Sequence, residues 1–285
     1  MKIINILFIL SVLFIQQMRA NTISILSWNV KFLPRIFLHV DHHPLKRVIP
    51  VSNHILNENA DVVVLQEAFD HTVNHRLLKH LKFVYPYHIG PANTKGLFTI
   101  SSGILILSKY PVKALGTIDF KDCEKEDCFA KKGALLVEVD INGKTIQVLG
   151  THLEAGGPSY IKKNQYTEIA GLLERYQRNS IPQFICGDFN TSSTNTELYP
   201  VMLSTLNATD GELIGEYKYS ADHFINDMCP FDPNDRSLID YIFYKSNGIN
   251  NISITREIMR FTFPWRKKNK DLSDHFAIKA LVKYN

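Results

Sequence analysis

The sequence lacks most features that would assign it to a special class of protein. It has no internal linker, low-complexity tract or short-period repeat, and nothing in its composition indicates disorder. Its net charge of +4 is too small to indicate binding to nucleic acid or a membrane by itself. What remains is a chain of 285 residues, 45% hydrophobic, which can bury a large core as one α/β domain or two small ones.

The longest apolar run lies at the N-terminus and is typical of a secretory signal peptide. Lys2 is followed by apolar residues 3–15 and a short exit that ends at Ala20. A signal anchor would need about 20 apolar residues, more than this run supplies, and no later stretch reaches that length. We therefore predict cleavage near Ala20, secretion, and a single domain over residues 21–285. The loss of Lys2 and Arg19 would reduce the net charge from +4 to +2.

The four cysteines of an exported chain permit two disulfides without requiring them. Cys123 and Cys128 flank a short polar loop and could close it. Cys186 lies inside an apolar run, where a buried small hydrophobic residue is the better interpretation. Cys229 would then remain free.

Apolar runs bounded by turn residues recur along the rest of the chain. We predict strands at 24–30, 61–65, 103–107, 134–140, 145–150, 183–186, 240–244 and 276–282. The pair Asn142-Gly143 predicts a tight hairpin turn between two of them. We predict helices at 45–57, 71–81 and 160–178. Strands interleaved with helices and hairpins indicate an α/β fold, with a mixed sheet covered by helices.

Acidic, amide and histidine side chains follow several of the apolar runs. If these runs are strands, the side chains lie at strand ends, and functional sites are commonly built at the rim of a sheet where strands end. These residues are Asn29, Glu67, His152, Asp188 and Asn190. A hard cation such as Mg²⁺ needs oxygen ligands, and Glu67 with Asn29 is the first choice. A histidine oriented by a carboxylate is the usual general base, and Asp240 or Asp274 could orient His275.

Each of these residues also has an ordinary structural explanation when it is considered alone. Glu67 could cap the next helix, and Asn29 and Asn190 could be turn residues. His152 could be a structural histidine, and the pair Asp274-His275 could lie in a solvated loop. The functional interpretation therefore depends on the joint pattern.

Six short strings occur in a fixed order between residues 27 and 276. They are Ser27-Trp28-Asn29-Val30, Leu65-Gln66-Glu67, Gly150-Thr151-His152-Leu153, Gly187-Asp188-Phe189-Asn190, Leu238-Ile239-Asp240-Tyr241-Ile242 and Ser273-Asp274-His275-Phe276. Together they resemble the motif series of the endonuclease/exonuclease/phosphatase superfamily. The strings Ala68-Phe69-Asp70 and Ser108-Lys109-Tyr110-Pro111 are similar to those of the neutral sphingomyelinases, phosphodiesterases of phospholipase C type.

The resemblance implies an α/β fold of DNase I-like type, a four-layer sandwich of two mixed sheets packed face to face with helices outside. It also implies roles for the site residues. Mg²⁺, or alternatively Mn²⁺ or Co²⁺, would be held by Glu67, Asn29 and Asp274. The catalytic residues would be His275 as general base, Asp240 as its orienting carboxylate, His152 at the departing oxygen, and Asp188 with Asn190 at the attacking water and the phosphate.

The leading hypothesis is a secreted, Mg²⁺-dependent phosphodiesterase that hydrolyses sphingomyelin to ceramide and phosphocholine. A secreted nuclease is the first alternative, although it should line its groove with Lys and Arg and interleave stacking aromatics. An inositol-lipid phosphatase is the second. The loss of a motif residue would favour a non-catalytic binding protein or a pore-forming toxin. Every motif position carries a residue that can perform the chemistry, so this alternative ranks low.

The loop at 262–270 suggests a membrane partner. Trp265 lies beside Arg266, Lys267 and Lys268, and an exposed aromatic among cations suits an anionic or zwitterionic lipid surface. A solvated basic turn with a packed Trp265 is an equally good interpretation. Nucleic acid is the less favoured partner, and a monomer is the simplest expectation.

Overall fold

The computed structural model describes residues 21–34, 42–93 and 101–284, so the predicted signal peptide at 1–20 lies outside the described residues. Its elements are β1 (Asn21–Phe32), α1 (Pro44–Glu58), β2 (Val62–Ala68), α2 (His71–Leu81), β3 (Tyr87–Ile89), β4 (Leu105–Ser108), β5 (Val112–Asp119), a 3₁₀ turn (Lys125–Phe129), β6 (Gly133–Ile141), β7 (Lys144–His152), α3 (Ser159–Tyr176), β8 (Gln183–Asp188), α4 (Leu198–Leu206), β9 (Glu212–Ile214), β10 (Ala221–Asp222), β11 (Arg236–Ser237), β12 (Asp240–Lys245), β13 (Ser253–Met259), β14 (Thr262–Arg266), β15 (Asn269–Asp271) and β16 (Ala277–Tyr284).

Two mixed sheets form the centre of the fold. One has seven strands in the order β3-β4-β2-β1-β16-β13-β9, and the other has five in the order β12-β8-β7-β6-β5. β1 runs parallel to β2 and β7 runs parallel to β8, whereas the β1–β16 and β6–β7 pairs are antiparallel. Both sheets therefore combine the two kinds of pairing, as predicted.

Side chains alternate between the two faces of each strand, and this alternation builds four layers. In β1, Ile23 and Ile25 belong to the core between the sheets, whereas Leu26 and Trp28 belong to the core under α1 and α2. The second sheet is covered on its outer face by α3 and α4 through a third cluster that includes Leu172. The α/β class and the DNase I-like sandwich are confirmed.

Gly150 in β7 is a point of close approach between the two sheets. A methyl group added at Gly150 would stand 2.8 Å from side-chain atoms of both Val64 and Ile104 on the opposite sheet. Such a separation is well inside van der Waals contact, so only glycine allows the sheets to approach this closely here.

All eight predicted strands and all three predicted helices are present. The hairpin is confirmed too, since Asn142 and Gly143 both have positive φ, at 54° and 85°. The sequence analysis missed α4 and the strands β3, β5, β9, β10, β11, β13, β14 and β15. In β13 the buried face carries Arg256, 2% exposed, so its apolar pattern is interrupted by a charge.

The expectation of an exposed Trp265 is corrected by the structure. Trp265 is only 9% exposed, and its Nε1 donates to the Asp271 carbonyl at 2.7 Å. It packs in the core under α1 because β14 and β15 form a hairpin that turns this ring inward. Phe263, 50% exposed, is the aromatic that faces solvent on this hairpin. No helix in the described ranges is long and apolar enough to cross a membrane.

The loop around the 3₁₀ turn is closed by a disulfide between Cys123 and Cys128. Cys186 is buried between the sheets and Cys229 is free, as predicted. The closed loop presents Asp127, which accepts from the backbone N–H of Ala155 at 2.8 Å and lies 2.9 Å from the Lys132 ammonium.

A second carboxyl group shares this corner. Glu154 is 2% exposed, and burial together with the hydrogen bond and charge of Asp127 raises its pKa to about 7. The positive charge of Lys132 overcomes burial and lowers the pKa of Asp127. The two carboxyl groups therefore share one proton, which resides on Glu154.

This proton makes folding stability depend on pH. Between the ordinary pKa of 4.5 and the folded pKa of about 7, the folded protein binds a proton that the unfolded chain releases. The free energy of unfolding should therefore fall as the pH rises through that window. In Glu154→Gln the part of this slope that comes from Glu154 should be lost. The wild type should therefore lose at least about 1 kcal/mol more stability than this variant across the window, since one pKa unit corresponds to about 1.4 kcal/mol.

Urea unfolding at pH 5 and pH 7.5 measures this difference. Glu174→Gln, which removes an exposed carboxyl on α3, is the matched control and should run parallel to the wild type. A constant difference between wild type and Glu154→Gln at both pH values would contradict the shared proton.

Candidate active site

The site lies where the two sheets present neighbouring strand ends at one rim. In the five-stranded sheet, Asp188 at the end of β8 pairs with His152 at the end of β7 on one side and with Asp240 at the start of β12 on the other. In the seven-stranded sheet, parallel β1 and β2 end close to Asn29 and Glu67. Three of the predicted residues thus stand side by side on one rim, and two stand on the facing rim.

A bulge in β1 shapes the rim of the seven-stranded sheet. Asn29 pairs with Gln66 and Phe32 pairs with Ala68, so two residues of β1 stand against Glu67 alone. The bulged Lys31 has φ of 48° and Glu67 itself has φ of 54°. Bulges and left-handed non-glycine residues carry a conformational cost and concentrate next to active sites, where they redirect side chains.

Asn29 connects the two rims. Its side chain is buried, and its Nδ2 donates to Glu67 Oε1 at 2.9 Å and to Asp188 Oδ2 at 3.2 Å. Its Oδ1 accepts from the backbone N–H of Lys31 at 3.2 Å. The single amide group of Asn29 therefore contacts one carboxylate from each sheet.

His275 and Asp240 form a hydrogen-bonded pair. His275 Nδ1 lies 2.8 Å from Asp240 Oδ2, and its Nε2 lies 3.8 Å from Asp188 Oδ2. The Trp28 indole donates to the His275 carbonyl at 2.9 Å. Because Nδ1 is engaged by Asp240, the free nitrogen Nε2 is turned toward the cleft, the arrangement that a general base requires.

The crowded acids shift the proton affinities of the site. Burial of the His275 ring would lower its pKa, but Asp240 and Asp188 outweigh burial and raise it well above its ordinary value. Burial and the charge of Asp240 raise the pKa of Asp188 to about 7. Burial and the charge of Asp274 also raise the pKa of Glu67. Burial and neighbouring negative charge therefore both disfavour the ionised forms of Asp188 and Glu67, and a bound cation would favour them.

His152 stands on the other side of Asp188. Its Nε2 lies 3.4 Å from Asp188 Oδ2 and 3.3 Å from the Lys132 ammonium. Burial and the charges of Lys132 and His275 lower its pKa well below the ordinary value, so the ring is neutral near pH 7. The positive charge at this point of the cleft is carried by Lys132, which is 6% exposed.

The remaining predicted residues flank this centre. Asp274 pairs with the Lys31 ammonium; burial opposes its ionisation, but His275 and Lys31 lower its pKa to about 2. Asn190, with φ of 48°, receives a hydrogen bond from Lys162 on its carbonyl at 2.5 Å and donates through Nδ2 to the Leu153 carbonyl at 3.0 Å. The structure thus brings all eight predicted site residues to one cleft.

Two sets of residues could hold a metal ion. Asp188, Asp240 and His275 offer ligand atoms that all lie within 4.8 Å of one another. Glu67 offers carboxylate oxygens on the opposite rim, next to Asp188. Asn29 turns its Nδ2 toward both carboxylates, and a flip of this amide would present Oδ1 to a cation instead. A hard cation prefers the oxygen donors, and His275 Nδ1 is already engaged by Asp240, so Glu67, Asn29 and Asp188 are the more suitable donors.

The cations of the site were not predicted from the sequence as site residues. Lys31, Lys132 and Lys162 each contact a predicted residue, and buried Arg47 lies behind the bulge. Lys132 lies between predicted strands and Lys162 lies in a predicted helix. A lysine at such positions resembles any solvated lysine in the sequence, so no local signal distinguished them.

The chain was compared with known families and proteins. A model of the Endonuclease/Exonuclease/phosphatase family matches residues 26–275. A phospholipase C from Staphylococcus aureus is 28% identical over 294 aligned positions, covering 92% of this chain and 87% of that protein. A sphingomyelinase C from Bacillus cereus is 26% identical over 303 positions, covering 92% and 89%. A structure of a Staphylococcus aureus beta toxin variant with bound magnesium ions has a TM-score of 0.80 and 25% identity, covering 91% of this chain and 99% of that one.

The family match runs from β1 to the histidine before β16, and the cleft between the two rims contains the residues of all six strings. The chain therefore belongs to the endonuclease/exonuclease/phosphatase family, is similar to bacterial sphingomyelinases, and is a hydrolase of phosphoric diesters.

Proposed function

We propose that the chain is a secreted, Mg²⁺-dependent phosphodiesterase that hydrolyses sphingomyelin to ceramide and phosphocholine. The observation that carries the proposal is the pairing of His275 with Asp240 at 2.8 Å, opposite the Glu67 carboxylate that Asn29 holds. A base and a cation site on facing rims suit hydrolysis of a phosphodiester. The similarity to a sphingomyelinase C and a phospholipase C supports this choice of substrate.

The donor set fits a divalent cation. Glu67, Asp188, Asp240 and Asp274 lie close together, and burial with the charges of neighbouring carboxylates raises the pKa values of Glu67 and Asp188. Their hard oxygens match Mg²⁺, with Mn²⁺ or Co²⁺ as alternatives, and Asp274 would act through water because Lys31 already engages it. Mg²⁺ bound there would polarise a phosphate oxygen and neutralise charge as the phosphorus is attacked.

His275 is the proposed general base. Asp240 holds Nδ1, and the charges of Asp240 and Asp188 raise the His275 pKa, which favours a protonated ring. With the charge of Asp188 offset by the proposed cation, His275 would be neutral, and Nε2 would accept a proton from a water that Asp188 orients with its nearby oxygen. The water oxygen then attacks phosphorus in line with the departing oxygen. Asn190 would contact a phosphate oxygen, and the His275 imidazolium that forms would be stabilised by Asp240.

The departing ceramide oxygen would face the opposite side of Asp188. His152 is neutral there, and its Nε2 lies 3.3 Å from the Lys132 ammonium, which can donate to it. The Lys132 ammonium would supply the positive charge and the proton that the departing oxygen needs, and His152 beside that oxygen would orient the ammonium.

We propose that the enzyme works at a lipid surface and docks through the β14–β15 hairpin. Phe263 is 50% exposed, and Arg266, Lys267 and Lys268 are exposed beside it. An aromatic ring among cations can enter the headgroup layer of a bilayer. Trp265 packs into the core under α1 and so fixes the hairpin to the body of the fold. The hairpin is anchored through Asp227, which accepts from the backbone N–H groups of Lys270 and Asp271.

The proposed place of action is outside the cell, after cleavage near Ala20, with residues 21–285 as one catalytic domain. The N-terminal sequence and the Cys123–Cys128 disulfide support export to an oxidising environment.

Release of phosphocholine from sphingomyelin vesicles tests the substrate. The mature protein should release phosphocholine with Mg²⁺, and EDTA should abolish the release because the donor oxygens then lack a cation. A plasmid-nicking assay and an inositol-lipid phosphatase assay run beside it. Nicking or phosphatase activity without phosphocholine release would move the chain to another branch of the family.

Replacing the proposed base should abolish turnover without unfolding the protein. His275→Ala should lower kcat/KM by roughly 100- to 10,000-fold, the usual contribution of general base catalysis. The matched control is His75→Ala, because His75 is an exposed histidine on α2 that contributes nothing to the cleft. Near-normal activity of His275→Ala would exclude this histidine as the base.

Docking is tested by removing the exposed ring. Phe263→Ala should weaken vesicle binding by about tenfold, the effect of roughly 1.4 kcal/mol, and should leave hydrolysis of a water-soluble phosphodiester unchanged. Phe83→Ala removes a ring that is 89% exposed after α2, outside the hairpin and without its cluster of cations, and serves as the control. Equal loss in both variants, or none, would rule out docking through the hairpin.

A further inference from the structure

Arg47 is a fully buried cation that lies behind the β1 bulge. It belongs to the first turn of α1 and is 0% exposed. Burying a guanidinium costs several kcal/mol unless its N–H groups are satisfied. The position of this charge therefore requires an explanation.

The guanidinium binds the backbone of the bulge from behind. Nη1 donates to the Val30 carbonyl at 2.8 Å, and Nη2 donates to the Lys31 carbonyl at 2.5 Å. These are the two residues of β1 that stand against Glu67 alone. Arg47 thus holds both bulged carbonyls, immediately after Asn29.

The same group also reaches the segment before β16. Nη1 donates to the Leu272 carbonyl at 2.5 Å, two residues before Asp274, and Nε donates to the His42 carbonyl at 2.7 Å. Every hydrogen bond of the guanidinium to a described residue ends on a backbone carbonyl. Its face stacks over the ring of Phe32 at 5.3 Å. A planar fork can join two chain segments in this way, which a lysine ammonium cannot.

The position also has an electrostatic effect. The charges of Asp274 and Glu67 act on Arg47, although burial lowers its pKa to about 10, so the group stays charged at neutral pH. Its fixed charge favours the ionised form of both carboxylates without occupying their oxygens.

We propose that Arg47 is a positioning residue for the cation donors. It fixes the β1 bulge, which aims Asn29 and Glu67, against the segment that carries Asp274 and His275. This inference rests on the metal site of the proposed function. Outer residues that orient metal ligands usually change metal affinity by about 10- to 100-fold when they are replaced.

The test compares Arg47→Lys with Arg256→Lys. Arg256 is 2% exposed, donates to the Gly211 carbonyl at 2.6 Å and pairs with Asp210, so it is an equally buried arginine outside the cleft. Two readouts are used: the rise in Tm on titration with Mg²⁺, and the Mg²⁺ concentration that gives half-maximal phosphodiesterase activity.

Both variants should lose stability, but only Arg47→Lys should need at least about tenfold more Mg²⁺ in both readouts. If Arg47→Lys and Arg256→Lys respond to Mg²⁺ like the wild type, the positioning role is overturned and the proposed function stands. If Mg²⁺ does not stabilise the wild type, the proposed metal site fails and this inference fails with it.

A measurement on the wild type covers the case in which Arg47→Lys does not fold. The ¹⁵N–¹H signal of Arg47 Nε should shift when Mg²⁺ is added, and that of Arg256 should not. A fixed Arg47 signal, while the backbone amide of Asn29 shifts, would overturn the proposal.

Discussion

Repulsion among four clustered carboxylates is the constraint on which the rest of the site depends. Glu67 and Asp274, which are partly buried, come from the seven-stranded side, and buried Asp188 and Asp240 come from the five-stranded side. Like charges in a medium of low polarity cannot all ionise without compensation. Burial and the charge of Asp240 accordingly raise the pKa of Asp188 to about 7. Each cation of the cleft offsets part of this repulsion.

The compensation is divided among groups with different chemistry. His275 can gain or lose its proton, Lys132 is fixed beside His152, and Lys31 is tied to Asp274. Arg47 acts from behind through backbone carbonyls. These groups offset only part of the negative charge of the carboxylates, and the remaining negative charge favours a bound divalent ion. Phosphodiester substrates carry a negative charge themselves, so a cleft without that ion would repel them.

Much of the fold and the site was predictable because their signals are local. The apolar runs that became β1, β2, β7, β8 and β12 end in polar residues, and parallel strands bring such ends to one rim. The signals that failed are those that need the tertiary structure. The inward turn of Trp265 depends on the pairing of β14 with β15, and the apolar face of β13 is interrupted by Arg256, whose partner Asp210 is distant in sequence. Arg47 fills a space that only the β1 bulge creates.

Gly150 connects the packing between the sheets to the cleft. Its backbone faces the side chains of Val64 and Ile104, and His152 lies two residues further along β7. An alanine here would press its methyl group against Val64 and Ile104, so those side chains would have to repack or the sheets would have to move apart. Because the two rims belong to these two sheets, a change in their separation would also change the distance across the cleft. A glycine outside the cleft is therefore a position where one added carbon can alter the alignment of the site residues.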